Sequence, residues 1–277
     1  MVHTLNCGGR LLTLDQPLVM GILNATPDSF FTKGKNNSVG GLLDQAAAML
    51  QAGASILDIG GVSTRPKADP VSEQEELDRV VPVIEAIHKA FPEAVLSVDT
   101  YRAAVAREAV AKGAGIVNDI SGGTMDEAMF QTIGDLKVSY ILTHIQGTPS
   151  NMQQHPEYDN VLTAVMDFFT ERITTLEQYG VKDIVLDVGF GFGKTLKHNY
   201  TLLKHMEAFR ILNKPVLMGV SRKSMVYKAL DTDTEHALNG TSVLHAWGLA
   251  NGADILRVHD VQEAAEVVKL YHHLQQS

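Results

Sequence analysis

Eight short apolar runs in this chain each give way to a side chain able to hydrogen-bond, and the residues with chemical potential collect at those points. The first run ends at Asn24. The second ends at Asp58, with Gly60-Gly61 beyond it, the third at Asp99 and the fourth at Asn118-Asp119. The fifth ends at His144 with Gln146 further on, and the sixth at Asp187. The seventh leads into Ser221-Arg222-Lys223-Ser224, and the eighth carries Arg257, His259 and Asp260. Loops are wet, so one polar strand end signifies little. Eight together exceed what stability asks for, because buried polar groups cost free energy unless partnered. Carboxylates, amides and cations in one place suit a planar, hydrogen-bonding ligand held beside an anion. No Ser/His/Asp or Cys/His nucleophile arrangement is visible, and Ser63 and Ser221 lack an obvious base. Covalent catalysis is therefore disfavoured, and positioning with electrostatic stabilisation is favoured.

Something must bring these points together. The runs are Leu18–Leu23, Ser55–Ile59, Val95–Val98, Ile116–Val117, Val138–Thr143, Ile184–Leu186, Val216–Val220 and Ile255–Val258. Nearly unbroken apolar character is expected of parallel strands buried on both faces. Helical patterns alternate with them over Gly41–Ala52, Ser72–Ala90, Arg102–Lys112, Met125–Ile133, Asp159–Tyr179, His198–Phe209, His236–Ala250 and Gln262–Leu274. Ser72-Glu73-Gln74-Glu75 has capping-box spacing. Eight strands alternating with eight helices predict a single (β/α)8 barrel domain over residues 1–277, with the site at the C-terminal strand ends. A doubly wound sheet is the competitor, but the first turn, Asn24-Ala25-Thr26-Pro27-Asp28, lacks its glycines. The opening Leu5 to Leu12, with Gly8-Gly9 at its centre, predicts a hairpin within residues 1–14 that covers the barrel bottom.

Composition sets outer bounds. With 23 Lys+Arg against 32 Asp+Glu the formal charge is −9, hydrophobic residues make up 45% and mean hydropathy is −0.00. A large core is possible and disorder is disfavoured. A nucleic-acid surface is disfavoured too, so any anion is held by a few local cations. Cys7 is the only cysteine, which excludes an internal disulfide or a cysteine-rich zinc site and fits a reducing cytoplasm. The N-terminus lacks a leader pattern, and no apolar run reaches membrane-spanning length. Gly189 to Lys194 tempts toward a phosphate loop, but Val188 stands where that motif needs glycine. It reads instead as a tight, backbone-exposing turn. Lys194, Lys197 and Lys204 read as surface charges, Trp247 as core, and the histidines form no metal motif.

At the strand ends the sequence resembles dihydropteroate synthase, a folate-pathway family. The resemblance is carried by Met20 through Phe30, Asp58-Ile59-Gly60-Gly61-Val62-Ser63-Thr64-Arg65-Pro66, Ser97-Val98-Asp99-Thr100 and Asn118 through Gly123. It continues in His144 through Pro149, Asp187 through Thr195, Gly219 through Ser224 and Arg257 through Val261. It implies a barrel transferase that joins 4-aminobenzoate to 6-hydroxymethyl-7,8-dihydropterin diphosphate, giving 7,8-dihydropteroate and diphosphate with Mg²⁺ assisting. It also implies a sulfonamide target and a homodimer through the late helices, where Ser242–Ala250 is apolar. Carried over by position, Asp58, Asp99, Asn118, Asp187 and Lys223 bind the pterin. Arg257 stacks on its ring and reaches the anion, and Asn24 and His259 hold the diphosphate, Asn24 together with the Mg²⁺. Thr64, Arg65, Pro66, Phe192 and Ser224 border the aminobenzoate site, with Asn24, Arg65, Lys223, Arg257 and His259 in the catalytic roles.

The sequence departs from that family at Val62 (usually Glu), Val188 (usually Pro), Ala25 (usually Val) and at Thr143 and Ile145 (often Met). Two other functions share the scaffold. A methyltransferase acting from methyltetrahydrofolate to a corrinoid protein would not need Ser63 to Pro66 or Ser221 to Ser224. A non-catalytic pterin-binding paralogue would not need Asn24, Arg65, Lys223, Arg257 and His259 together.

Overall fold

In parallel strands covered on both sides, alternate residues must satisfy two different apolar environments, and the two sets separate cleanly here. A computed structural model describes residues 2–26, 38–62, 70–154 and 156–277. A two-stranded antiparallel hairpin comes first, β1 (His3–Cys7) and β2 (Arg10–Leu14), turning through Gly8 and Gly9 at φ 66° and 92°. Both angles lie in the left-handed region that an Asn-Gly or Gly-Gly hairpin turn requires. Eight parallel strands follow: β3 (Leu18–Asn24), β4 (Ile56–Gly60), β5 (Val95–Asp99), β6 (Ile116–Asp119), β7 (Ser139–Thr143), β8 (Ile184–Asp187), β9 (Val216–Met218) and β10 (Ile255–Val258). They close into a barrel in the order β10-β3-β4-β5-β6-β7-β8-β9. The helices between them are α1 (Val39–Gln51), α2 (Glu73–Ala90), α3 (Ala103–Ala111), α4 (Met129–Leu136), α5 (Val161–Gln178), α6 (Leu196–Lys204), α7 (Ser224–Tyr227), α8 (Leu238–Ala250) and α9 (Val261–Gln275).

Val19, Leu57, Leu96, Val117, Leu142 and Leu186 face the helices. Their neighbours Leu18, Met20, Ile56, Val95, Ile116, Ile141, Val185, Leu217 and Ile255 fill the barrel interior, together with Leu5, Cys7 and Leu14 of the hairpin. The hairpin thus packs its apolar side against the interior layer of the barrel. Asn6 secures it, donating from Nδ2 to the Lys137 carbonyl and accepting at its own carbonyl from Ser139 Oγ. Two residues further along β4, β5, β6, β7, β8 and β10, the same inward face turns from apolar to polar, at Asp58, Ser97, Asn118, Thr143, Asp187 and Arg257. That change of layer creates the site.

Helix boundaries follow local hydrogen bonding. Ser38, Ser72, Asn160 and Thr195 cap α1, α2, α5 and α6. At Ser72 only half of the capping box forms, because Glu75 turns to Arg79 instead (2.5 Å). α4 starts later than its apolar pattern predicts, since Asp126 is occupied accepting from Ala103 and Ala128 N–H. The helix expected over His198–Phe209 breaks after Lys204 into a 3₁₀ segment, Met206–Leu212, whose three-residue turn stacks buried Met206 on Phe209. α7 was not foreseen. Two placements need correcting. Trp247 is not core: it is 52% exposed on α8, one turn from exposed Val243. Lys194 is not on the surface: it is buried beneath the loop after β8.

Candidate active site

Asp58 is completely buried, and a carboxylate there needs a partner. Arg257, projecting inward from β10, donates from Nε to Asp58 Oδ2 and from Nη2 to Asp99 Oδ2, both at 2.6 Å. Asn118 Nδ2 donates to the same Asp58 oxygen at 3.0 Å. The guanidinium is thus fixed by carboxylates from two strands, and Asn118 is oriented by a third contact. Burial raises the Asp99 carboxyl and neighbouring carboxylates add to the rise, while Arg257 opposes both.

On the other side of the barrel, burial raises the Asp187 carboxyl while Lys223 opposes the rise. Asp187 Oδ1 accepts from Gly189 N–H at 2.8 Å. Lys223 Nζ donates to the Phe190 carbonyl at 2.6 Å and lies 4.6 Å from the centre of the Phe192 ring. Burial pulls its pKa down to about 8, with Asp187 resisting. A Cβ at Gly219 would lie 3.8 Å from both Asp187 Oδ2 and Lys223 Nζ. The glycine keeps open the space the two charges share.

The loop after β8 is held from within. Lys194 Nζ contacts the carbonyls of His144, Gly189 and Phe192 at 3.0–3.2 Å and His144 Nδ1 at 2.8 Å. Burial and the nearby ammonium lower the His144 pKa to about 2, so the imidazole is neutral and accepts at Nδ1. Gly189, Gly191 and Gly193 all have positive φ, and a Cβ on Gly189 would strike the His144 carbonyl. Sequence reasoning missed Lys194 and His144 as a pair. The glycines before Lys194 were the available signal, because they let the backbone wrap a cation.

Ser221 differs from expectation, which gave it no base. Ser221 does have a histidine beside it: Ser221 Oγ lies 3.1 Å from His259 Nδ1 and accepts the His259 backbone N–H at 3.1 Å. With the hydroxyl proton pointing at Nδ1, Nδ1 accepts, and in the neutral ring the proton then sits on Nε2. This pairing orients the histidine rather than activating the serine. Next to it, Arg222 binds Asp260 through two 2.7 Å bonds.

Asn24 ends β3, half-buried and opposite Gly60. Ser224 opens α7, and Phe192 lies under Lys223. Asp58, Asp99, Asn118, Asp187, Lys223, Arg257 and His259 therefore share one barrel mouth with Asn24. Thr64, Arg65 and Pro66 lie outside the described residues. Such a mouth can hold a flat donor-rich edge between carboxylates and an anion near cations.

Comparison with known proteins agrees with that chemistry. The family described as pterin binding enzyme matches residues 20–259. The dihydropteroate synthase of Escherichia coli (strain K12) is 44% identical over 264 residues, covering 95% of this chain and 93% of that one. That of Haemophilus influenzae is 42% identical over 269 residues, covering 96% and 97%. Among solved structures, Yersinia pestis dihydropteroate synthase with a sulfonamide drug complex superposes with TM-score 0.94 at 42% identity, covering 99% and 100%. Xanthomonas albilineans dihydropteroate synthase with 4-aminobenzoic acid gives 0.93 at 38% identity, covering 100% of both chains.

Proposed function

We infer from membership of the dihydropteroate synthase family, to which this chain belongs, how its own residues perform that family's reaction. The chain is a transferase that joins 4-aminobenzoate to 6-hydroxymethyl-7,8-dihydropterin diphosphate, releasing 7,8-dihydropteroate and diphosphate. The observation that carries the residue assignment is the convergence on one rim of two charge sets, Arg257 with Asp58 and Asp99, and Lys223 with Asp187.

Asp187 accepts from adjacent N–H groups of the amino-pyrimidinone, and Asn118 and Asp99 meet the opposite edge. Lys223 donates to a ring acceptor. Arg257, held in plane by its two carboxylates, lies flat against the heterocycle. The carbon–oxygen bond to diphosphate breaks first, and the electron-rich pterin stabilises the cationic methylene. Arg257 and the His259 Nε2–H meet the charge that develops on the departing oxygen. The neutral aryl amine then forms the new carbon–nitrogen bond and sheds a proton to solvent or to diphosphate. Phe192, Ser224 and the Thr64-Arg65-Pro66 segment border the aminobenzoate.

Mg²⁺ fits this site in a limited way. The ion favours oxygen ligands and is often held by one or two protein oxygens plus substrate phosphates. Asn24 offers one amide oxygen, and no group of three or more His, Cys, Asp or Glu able to hold a metal stands among the described residues. Asn24 would hold the ion with the diphosphate, where it supplies charge neutralisation. We also assign a homodimer through α8 and α9, whose exposed Val243, Trp247, Leu270 and Leu274 form apolar pairs one turn apart. A cytoplasmic location accords with the single buried, free Cys7, and no described helix is long and apolar enough to cross a membrane.

Diphosphate release, followed with and without 4-aminobenzoate, tests the reading. Turnover that depends on aminobenzoate and yields one dihydropteroate per diphosphate is expected. Pterin binding without release would instead favour a non-catalytic protein. In calorimetry, Asp187→Asn should weaken pterin binding at least tenfold, and an unchanged affinity would remove Asp187 from that role.

A further inference from the structure

Five adjacent strands present an arc of inward polar groups: Asp58 on β4, Ser97 and Asp99 on β5, Asn118 on β6, Thr143 on β7 and Asp187 on β8. Thr143 shares this face. Its Cα partner is Asp187, Ile141 two residues earlier belongs to the interior layer, and Leu142 between them faces the helices. Thr143 is 1% exposed, and its Oγ1 has no hydrogen-bond partner among the described residues. Buried hydroxyls are normally paired, and valine would fill the same space with no polar atom to satisfy. Two other orphans in the arc, Ser97 Oγ and Asp58 Oδ1, stand on Cα-partnered residues of neighbouring strands, where one water can serve both. Thr143 has no such neighbour, because β6 separates it from them. On β7 it stands between the strands that carry Asn118 and Asp187, level with Asp187 and one inward position beyond Ile141, the Cα partner of Asn118.

We propose that Thr143 is a specificity-determining residue of the pterin pocket, its hydroxyl hydrogen-bonding a polar atom of the heterocycle between the contacts of Asn118 and Asp187. The inference rests on the pterin reading of this mouth. The hydroxyl can donate to a ring nitrogen or the carbonyl oxygen, or accept from an N–H, whichever the bound ring presents there. The free protein bears an unmet group so that the bound state gains a contact.

Calorimetric titration with 6-hydroxymethyl-7,8-dihydropterin diphosphate, on Thr143→Val, Thr143→Ser and Thr143→Ala, tests this. The valine and alanine variants should bind about tenfold more weakly, equivalent to about 1.4 kcal/mol. The serine variant should stay within about twofold of wild type, and the KM for 4-aminobenzoate should be unchanged in all three. Free Thr143→Val should melt no lower than wild type, since it removes an unpaired group. Unchanged pterin affinity in the valine and alanine variants, or an equal loss in the serine variant, would overturn the proposal. Asp187→Asn is run alongside. If it loses affinity and Thr143→Val does not, only this proposal falls; if neither loses affinity, the pterin reading falls with it.

Discussion

Replacing Arg257 by Met should cost stability in a way that depends on pH. The guanidinium is the shared partner of Asp58 and Asp99, through two 2.6 Å charge-assisted bonds. Asp58 is wholly buried and the Asp99 side chain is 15% exposed. Methionine matches the arginine stem in bulk but leaves two carboxylates facing each other in the barrel. Removing one member of a buried ion pair costs about 3–5 kcal/mol, mostly the uncompensated charge. The Asp99 carboxyl is already raised by burial, with Arg257 the first group holding it down. It already stands at about 7, above its value in the unfolded chain, and without Arg257 it rises further. A carboxyl raised in the fold costs stability in full above its folded pKa, and that cost fades as pH falls from there toward its unfolded pKa. Urea unfolding at pH 8, 6.5 and 5 should therefore show the largest deficit at pH 8, where the Asp99-linked part amounts to about 1.4 kcal/mol for the one unit between pH 8 and the wild-type carboxyl near 7, and that part should be largely gone by pH 6.5. Adding Asp99→Asn to Arg257→Met should recover much of it at pH 8. A deficit of equal size at all three pH values would refute the reasoning and point to lost packing instead.

Three further outcomes are expected. Lys223 loses its proton as pH rises through about 8, so pterin affinity should decline above that pH, and a flat profile to pH 9.5 by calorimetry would contradict the Lys223 contact. Gly189→Ala places a Cβ against the His144 carbonyl at φ 68° and should destabilise by more than about 3 kcal/mol, whereas Gly180→Ala, at φ 79° with open space around it, should cost only the left-handed penalty of about 1–2 kcal/mol; thermal melts of the two compare them directly. Paired Val243→Glu and Trp247→Glu substitutions should convert a dimer to monomer in analytical ultracentrifugation, and an unchanged sedimentation profile would remove α8 from the interface.

The barrel and the rim were legible because both write a periodic signal into the chain. Strands buried on two sides must be apolar at successive positions, so Val95–Val98 and Ile184–Leu186 announce themselves, and the polar residue after each run marks the mouth. What pairs with what was not legible. Arg257 meets Asp58 across 199 positions of sequence, a contact that only barrel closure creates. Lys194 was misread because a lysine after three glycines looks solvent-bound, and its acceptors are backbone carbonyls that leave no mark on residue types. Trp247 was misread because α8 is apolar nearly all round, so its pattern does not say which side faces the barrel.

Arg222 touches no proposed substrate atom, yet it sits in the left-handed region at φ 53° between Ser221 and Lys223, clasped to Asp260 next to His259. Its guanidinium also takes the Thr234 and Glu235 carbonyls, so the segment leading to α8 is tied into the same knot. Lys223 and His259, to which we give the heterocycle and the phosphate tail, are consequently joined in one hydrogen-bonded bracket spanning two neighbouring strands. A lineage cannot retune one grip without disturbing the other unless this bracket is rebuilt.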